Sequence, residues 1–298
     1  MTGHRSTGWL TALFLLGVIG SLSSLRASTY SLTGPEQLFV SLSKTLILDN
    51  SSVIKGDVGL SSDLQMQNTT SILALPPYTG AADFSGSVTC IPASPCPGGT
   101  VAGGTHGSIA NVTTAINDYT NLISMLTGLS GGTNIAINPP AAGQTLSTPG
   151  TYNATSFTMT TGGNLTLNGT STDQYVIRVP GLSTLNISAG SIILTGGLLP
   201  DSVIFLFDPT TAGQNFNWNS SGKFSGILLG NANVANITFS NTTNPSSVGR
   251  VILPSGTIQF NGGGFVGAGG FPEPPTFSLV GLGLVIIAFK LRLAKGPP

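Results

Sequence analysis

The sequence predicts an all-β body with one long helix, flanked by two terminal segments that direct export. From Leu38 to Phe265 the chain consists mainly of short runs in which apolar and polar residues alternate, broken by Gly, Asn or Pro. Of the 298 residues, 41 are Gly and only 7% are charged, a composition suited to a sheet-rich body with a neutral, hydroxyl-bearing surface. A single segment near residue 110 has the periodicity of a helix instead.

The alternating runs predict half-buried strands, with apolar side chains on one face and Thr, Asn or Ser on the other. The clearest runs are Asn164–Asn168, Thr184–Ser188, Val203–Phe207, Phe224–Leu229 and Thr257–Phe260. Many short strands at close spacing favour a sandwich, a barrel or a β-solenoid. No fixed repeat length is visible, which excludes a regular solenoid and leaves an irregular one open.

One segment carries an apolar helical stripe. Its members are Ile109, Val112, Ile116, Tyr119, Ile123 and Leu126, spaced alternately by three and four residues. Ser108 is placed to cap the start, and Gly128 is placed to end the helix. The spacing predicts a helix over about residues 108–127, roughly 28 Å long. A helix of that length spans about six strands of a sheet and has its apolar stripe to bury against them.

The N-terminus has the three parts of a signal peptide, predicted over residues 1–27. Arg5 supplies the positive charge, Leu10–Leu22 supplies the apolar stretch, and Ala27 supplies a small residue at the cleavage point. The alternative is an uncleaved N-terminal anchor, for which the apolar stretch is short.

The C-terminus, residues 272–298, combines a short motif, an apolar run and a basic end. The motif is Pro272, Glu273 and Pro274, and the basic residues are Lys290, Arg292 and Lys295. The run Phe277–Phe289 predicts a short transmembrane helix at about 276–290, with the basic end cytoplasmic. This order resembles the PEP-CTERM sorting signal of Gram-negative bacteria. The resemblance implies transient insertion in the inner membrane, processing by an exosortase-type enzyme, and delivery to the cell surface or extracellular matrix. A plain single-span anchor is the alternative.

Charge and side-chain chemistry exclude several functions for the predicted mature body, residues 28–271. It holds nine acidic and five basic residues, a net charge of about −4 with no basic patch, which excludes nucleic-acid binding. The acidic residues are scattered, and the closest pair in the strand-rich half, Asp201 and Asp208, flank one strand. His106 is the single histidine, and no Gly-x-Ser-x-Gly motif occurs with it. We therefore expect no enzyme activity, no cofactor and no metal.

The two cysteines, Cys90 and Cys96, lie in a Pro- and Gly-rich stretch. Export to an oxidising compartment favours a disulfide between them, and a free pair is the alternative. A zinc site needs four ligands, and His106 is the only nitrogen ligand nearby.

The order of several motifs along the body resembles the ice-binding-protein-like family of secreted microbial domains. The motifs are Gly56–Ser61, Ala74–Gly80, the predicted helix, Gly143–Tyr152, Leu165–Gly169, Gln174–Val179 and Leu185–Leu194. The stretch Gly143–Tyr152 is the most specific of them, and the resemblance covers roughly residues 44–266. It implies an irregular right-handed β-solenoid of triangular section with one long α-helix packed alongside.

The same resemblance implies a non-catalytic protein that binds ice through a flat face rich in Thr, Ser and Asn. The candidate residues are Thr158, Thr160, Thr161, Asn164, Thr166, Thr184 and Ser188. Thr161–Asn164 also fits the Thr-Ala/Gly-x-Thr/Asn motif of some family members. Two alternatives stay open: Thr and Ser at these positions are favoured in exposed strands in any case, and a low-charge exported body also suits a structural or adhesive component of the exopolysaccharide matrix.

Overall fold

A computed structural model describes most of the body. The described residues are 39–49, 52–67, 70–73, 82–84, 88–91, 100–101, 105–106, 110–159, 162–240, 247–262 and 264–267. They all belong to one compact unit, Leu32–Pro298. The predicted signal peptide and sorting tail lie outside these residues. Within the described part of the chain, no helix is long and apolar enough to cross a membrane.

The chain forms short strands, then one helix, then more strands. The strands before the helix are β1 (Ser41–Asp49), β2 (Val53–Lys55), β3 (Val58–Leu60), β4 (Leu64–Gln67), β5 (Ser71–Leu73), β6 (Ala82–Phe84), β7 (Val88–Ile91), β8 (Thr100–Val101) and β9 (Thr105–His106). Helix α1 is Ala110–Gly128. After it come β10 (Thr133–Ile137), β11 (Gln144–Leu146), β12 (Gly150–Phe157), β13 (Leu165–Asn168), β14 (Tyr175–Pro180), β15 (Leu185–Ile187) and β16 (Ile192–Thr195). The remainder is a 3₁₀ turn (Pro200–Ser202), β17 (Val203–Asp208), β18 (Gln214–Trp218), β19 (Ser225–Gly230), β20 (Val234–Ser240), β21 (Ser247–Asn261) and β22 (Gly264–Gly267).

These strands stack into three parallel ladders. The first ladder runs β10, β12, β14, β17, β19, the start of β21, the start of β1, β3, β6 and β9. The second runs β15, β18, β20, the end of β21, the end of β1, β4 and β7. The third runs β11, β13, β16, residues 223–224, the first residues of β21, β22, β2, β5 and β8. The chain visits the three ladders in turn, so the body is a three-sided β-solenoid, as the family resemblance implied.

The turns of the solenoid are not stacked in the order of the sequence. β1 pairs with β21, and β2 pairs with both β22 and β5. The turns before α1 therefore lie on top of the last turn of the chain. Helix α1 carries the chain from β9, at one end of the stack, to β10 at the other.

Apolar side chains from all three ladders meet inside the solenoid. Ile54, Leu165, Ile177, Phe205 and Ile258 are each at most 2% exposed and belong to one continuous core. Each buried side chain of this size stabilises the fold by about 1.5–3 kcal/mol. Polar positions alternate with these along most strands, which confirms the period-two interpretation of β13, β15 and the end of β21.

Helix α1 confirms the helix predicted at about 108–127, and it ends at Gly128. Ser108 and Ile109, the predicted cap and the first stripe residue, lie outside the described residues. The stripe is centred slightly differently from the prediction: Val112, Ala115, Tyr119 and Leu126 are buried, whereas Ile116 and Ile123 are only half-buried.

The helix packs on the outward side of the first ladder, against β17 and β21. As a result the side chains of Ile204 and Leu206 are fully buried, although they are not part of the core inside the solenoid. The expectation that Val203–Phe207 and Phe224–Leu229 are half-buried strands is therefore wrong. Both runs are covered on two sides, by the core inside the solenoid and by α1. Strands that are buried on both faces do not need alternating polar residues.

Arg178 and the stretch Gly143–Tyr152 fix the end of the stack where α1 terminates. The Arg178 guanidinium donates to the carbonyls of Thr127 (3.0 Å) and Leu129 (2.7 Å), which α1 leaves without intrahelical partners. The Gln144 side chain accepts from the Asn138 N–H (3.1 Å) and donates to the Ala136 carbonyl (2.9 Å). This side chain therefore satisfies backbone groups in the turn before β11, which explains its place in the motif.

Tyr152 ends the same motif and stacks on Tyr175, with ring centroids 6.2 Å apart. The Tyr175 hydroxyl is hydrogen-bonded to the carbonyls of Leu146 (3.1 Å) and Asn168 (2.8 Å). Burial, reinforced by Tyr152 and Asp173, raises the pKa of Tyr175 to about 12. Both rings thus serve as packing and cross-bracing groups between turns.

Candidate functional site

The solenoid has three outer faces, one for each ladder, and they differ in what covers them. Face 1, the outer side of the first ladder, is covered by α1. Face 2 and face 3, the outer sides of the second and third ladders, carry half-buried and exposed side chains. A ligand that needs a broad binding surface would therefore have to bind face 2 or face 3.

Face 2 presents two ranks of polar side chains, one residue per strand and in register. The central rank is Asn186, Asn217, Thr238, Gln259, Ile47 and Gln65. The outer rank is Asn215, Asn236, Thr257 and Thr45. Neighbouring members of a rank are about 4.8 Å apart, the spacing of hydrogen-bonded strands. Amides and hydroxyls dominate both ranks, and Ile47 is the apolar exception.

Hydrogen bonds along the ranks fix the positions of these side chains. The Asn217 amide donates to the Asn186 side-chain oxygen (2.7 Å), and the Asn236 amide donates to that of Asn215 (2.8 Å). At the edge of the face, Gln259 donates to the Asp49 carboxylate (2.9 Å). Such ladders restrict side-chain rotation before any ligand arrives, so the face is pre-organised.

Aromatic side chains lie directly behind face 2. Phe216, Trp218, Phe239 and Phe260 alternate with the polar ranks and point into the core. The rings of Phe239 and Phe260 are stacked at 5.4 Å and 16°, and the Trp218 ring lies 6.4 Å from that of Phe239. Large rings at successive levels leave the strands little freedom to move inward, which makes this part of the face rigid.

Face 3 is more mixed in composition. Its rank Thr145, Thr166 and Ile193 spans β11, β13 and β16, which form a separate three-stranded sheet. Ile193 is 37% exposed. Beyond β16 the third ladder passes through residues 223–224, where Lys223 is exposed, to the start of β21 and to β22. Hydroxyl groups therefore do not continue in register along face 3.

The structure distributes the candidate ice-binding residues over two faces. Thr158, Thr184 and Ser188 lie at the border of face 2, beside β12 and β15. Thr166 lies on face 3, paired in register with Thr145 and Ile193. Thr160 and Thr161 are outside the described residues.

Two of these candidates have structural bonds. The Asn164 side-chain oxygen accepts from the Ser191 N–H (2.9 Å), which clamps a corner between two turns. The Thr184 N–H donates to the Gln214 side-chain oxygen (2.8 Å), and the Thr184 hydroxyl accepts from the Asn215 N–H (3.3 Å). Both side chains are half-buried, and their hydrogen bonds stabilise the border of face 2.

Sequence reasoning missed most of face 2, whose ranks run over β15, β18, β20 and the end of β21. The missed residues are Asn186, Asn215, Asn217, Asn236, Thr238, Thr257 and Gln259. The alternation of amide and aromatic residues in Gln214–Trp218 is the signal that would have identified them, since it is the period-two pattern of a half-buried strand.

The described carboxylates are dispersed and already bonded. Asp201 pairs with Arg250, Asp208 accepts from Asn231, and Asp173 accepts from Thr170, which lowers the Asp173 pKa. Asp201 and Asp208 lie at opposite ends of β17, as expected. Across the described residues, no three His, Cys, Asp or Glu side chains come together as metal ligands would. For the predicted disulfide, Cys96 lies outside the described residues and Cys90 is described only as part of the β7 backbone.

The family model described as "Ice-binding-like" matches residues 42–262. No curated protein matches the sequence. Several solved structures have the same fold at low sequence identity. An ice-binding protein from an Antarctic biological consortium has a TM-score of 0.55 and 20% identity, covering 82% of this chain and 96% of that one. LeIBP, an ice-binding protein from an Arctic yeast, has a TM-score of 0.50 and 18% identity, covering 80% and 94%. An ice-binding protein from an Antarctic bacterium of the Flavobacteriaceae has a TM-score of 0.50 and 22% identity, covering 85% and 52%.

Proposed function

Because the chain belongs to the ice-binding-like family, whose model matches residues 42–262, we propose that it binds ice, and that face 2 is the binding surface. The observation that carries this proposal is the pair of hydrogen-bonded ranks on face 2, in particular Asn215–Asn236 and Asn186–Asn217. The two proteins of similar fold from the Antarctic consortium and the Arctic yeast are ice-binding proteins.

The physical argument concerns ordered water. Side chains repeat about every 4.8 Å between strands and every second residue, about 6.6 Å, along a strand. A two-dimensional grid of fixed amides and hydroxyls holds a water layer in matching positions. Water already ordered in this way loses little further freedom on joining a crystal, because the ranks are immobilised before contact. Binding is non-catalytic and needs no cofactor.

Continuity and charge favour face 2 over face 3. From β15 to the end of β21 face 2 presents amides and hydroxyls without interruption, in register across four successive strands. Face 3 contains the exposed Ile193 and then Lys223, a long and strongly hydrated side chain that disturbs a flat water layer. Thr158, Thr184 and Ser188 would extend face 2 at its border.

Replacing Thr238 by Tyr should abolish most of the thermal hysteresis of the purified protein. Thr238 lies in the middle of the central rank, between Asn217 and Gln259, so a protruding ring there separates the surrounding grid from the crystal. Tyr is favourable in strands, and we expect little change in the midpoint of thermal unfolding. Thermal hysteresis and ice-crystal shape are measured on wild type and variant at equal concentration.

Thr166→Tyr is the matched control, because it makes the same change on face 3. We expect it to retain wild-type hysteresis. Loss of activity in Thr166→Tyr but not in Thr238→Tyr would place the site on face 3. A folded wild-type protein without effect on ice growth at high concentration would refute ice binding altogether and favour a structural or adhesive role in the exopolysaccharide matrix.

We further propose that the protein is exported to the cell surface of a Gram-negative bacterium and processed at both ends. The N-terminal and C-terminal motifs support this proposal. The mature chain is expected to begin near Ser28 and to end between Pro272 and Pro275, after transient insertion of the tail in the inner membrane and cleavage by an exosortase-type enzyme. Intact-mass measurement of protein recovered from the cell surface tests both ends. A recovered chain that still contains Phe277–Phe289 would show a permanent anchor.

A further inference from the structure

A groove of about 520 Å³ lies between the C-terminal half of α1 and the side of the solenoid. The wall opposite the helix is the corner where the chain passes from the first ladder to the second, which we call corner 1/2. Three successive levels form this wall: Asp208 at the end of β17, residues 230–233 where β19 leads into β20, and Pro254–Ser255 within β21. The helix contributes Thr120, Ile123, Ser124, Thr127 and Gly128. The groove is therefore separated from face 2 by corner 1/2.

Side-chain hydrogen bonds hold the corner wall in place. The Asn231 amide donates to the Asp208 carboxylate and to the Pro209 carbonyl (3.1 Å). The Asn233 amide donates to the same carbonyl (2.8 Å), and its N–H donates to the Asn231 side-chain oxygen (2.9 Å). These bonds join two successive turns of the solenoid. Arg178 fixes the helix wall through the last carbonyls of α1, so both walls are positioned before any ligand arrives.

Four polar atoms of residues that line the groove have no hydrogen-bond partner among the described residues. They are Asp208 Oδ2, Asn233 Oδ1, Thr127 Oγ1 and Ser255 Oγ. The first two can only accept hydrogen bonds, and the two hydroxyls can both donate and accept. Ile123, Ala232 and Pro254 add apolar surface to the same lining. The groove thus combines unused acceptors and hydroxyls with apolar patches.

This combination matches the chemistry of a sugar ring. A pyranose carries hydroxyls around its rim and apolar C–H groups on its faces, and neighbouring hydroxyls can donate to a carboxylate and an amide oxygen together. The groove volume is within the range of small-ligand sites, about 300–1,000 Å³. A calcium site needs about six to eight oxygen ligands, usually with several carboxylates, whereas Asp208 is the only carboxylate in this lining. The lining also contains no Lys or Arg, which disfavours an acidic sugar.

We propose that this groove binds a neutral saccharide, with Asp208 and Asn233 accepting hydrogen bonds from its hydroxyls. The site is independent of the proposed ice-binding surface. Asn233 precedes Asn236, a member of the outer rank of face 2, by three residues on the other side of corner 1/2. A saccharide in the groove therefore does not occupy the ranks of face 2.

The experiment measures binding of the neutral trisaccharides maltotriose, cellotriose and mannotriose to the purified full chain by saturation-transfer NMR. Ser124→Phe fills the groove from the helix side. Thr114→Phe is the matched control, because Thr114 lies about 15 Å earlier on α1. Both side chains are exposed, and each hydroxyl donates only to a carbonyl of its own helix, at 3.0 Å. We expect binding of at least one trisaccharide at millimolar concentration, its loss in Ser124→Phe and its retention in Thr114→Phe.

A second variant, Asp208→Asn, tests the assigned acceptor. The side-chain oxygen of Asn can still accept from Asn231, but the charged acceptor is lost, so affinity should fall about five- to tenfold with little change in the unfolding midpoint. Binding by none of the trisaccharides, undiminished binding in Ser124→Phe, or stronger binding of trigalacturonate or calcium would overturn the proposal. Ser124→Phe should keep wild-type thermal hysteresis, and Thr238→Tyr should keep saccharide binding. Failure of the saccharide site and failure of ice binding are therefore distinguishable.

Discussion

Replacing Asp201 by Ala is expected to lower the free energy of unfolding by about 3–5 kcal/mol. Asp201 accepts from the Arg250 guanidinium at Nε (3.0 Å) and Nη2 (3.3 Å). The Arg250 side chain is fully buried, and that of Asp201 is 11% exposed. Arg250 also donates to the Phe39 carbonyl, so the pair joins the turn before β17 to β21 and to the segment that enters β1. Without the carboxylate, a buried positive charge is left without its counter-charge. Urea denaturation followed by circular dichroism measures the change.

Two comparison variants test whether the loss of stability comes from the unpaired buried charge of Arg250. Asp173→Ala removes a carboxylate from an exposed turn, where it accepts from Thr170 (2.7 Å), and should destabilise the protein much less. Combining Asp201→Leu with Arg250→Met removes both charges and should recover much of the lost stability, as is common for buried pairs replaced by apolar residues. An Asp201→Ala variant as stable as wild type would show that the ion pair contributes nothing to the fold.

Replacing Gly190 by Ala is expected to destabilise the protein by about 3 kcal/mol or more. A Cβ at Gly190 would lie 2.2 Å from the Gly163 carbonyl oxygen on the adjacent turn. The same crowding is repeated on both sides: a Cβ at Gly163 would lie 1.8 Å from the Pro140 oxygen, and one at Gly222 would lie 2.0 Å from the Gly190 oxygen. Turns at this corner therefore stack backbone on backbone, and any side chain forces two turns apart.

Gly181→Ala is the matched control for this effect. Both glycines have a positive φ, 82° at Gly190 and 68° at Gly181, so both substitutions carry the left-handed backbone penalty of about 1–2 kcal/mol. Nothing lies within 4 Å of a Cβ built at Gly181. The difference in unfolding midpoint between the two variants isolates the crowding. Equal destabilisation would mean that the adjacent turns separate easily.

The elements with a strong local period could be predicted from the sequence. The stripe that includes Val112 and Tyr119 identified α1, and alternation identified β13 and β15. The order in which the turns stack could not be predicted, because no local pattern in the sequence indicates that β1 pairs with β21. The burial of Ile204 beneath α1 could not be predicted from a local pattern either, because it depends on which ladder the helix covers.

The candidate site was harder to predict for the same reason. Thr166 and Thr184 have the same local signature of an outward hydroxyl on a short strand, yet they lie on different faces. Assignment to a face depends on the length of each connection, and these connections vary. Gln214–Trp218 contains no Thr or Ser. Its amide rank becomes visible only when Asn217 is stacked between Asn186 and Thr238.

The pairing of the first strand with β21 determines when the fold can be completed during synthesis and export. Asp49 and Gln259, which are hydrogen-bonded across this junction, are 210 residues apart in sequence. Until β21 and β22 emerge, β1 and β2 present an unpaired edge, and such edges associate readily with other chains. β21 and β22 pair with β1 and β2 and so cover this edge. A chain exported as proposed would therefore stay unfinished while it crosses the membrane, and it would close only when its C-terminal segment has passed through. Contacts of such long sequence separation form slowly, so an exported chain would complete its fold only after synthesis of β21 and β22.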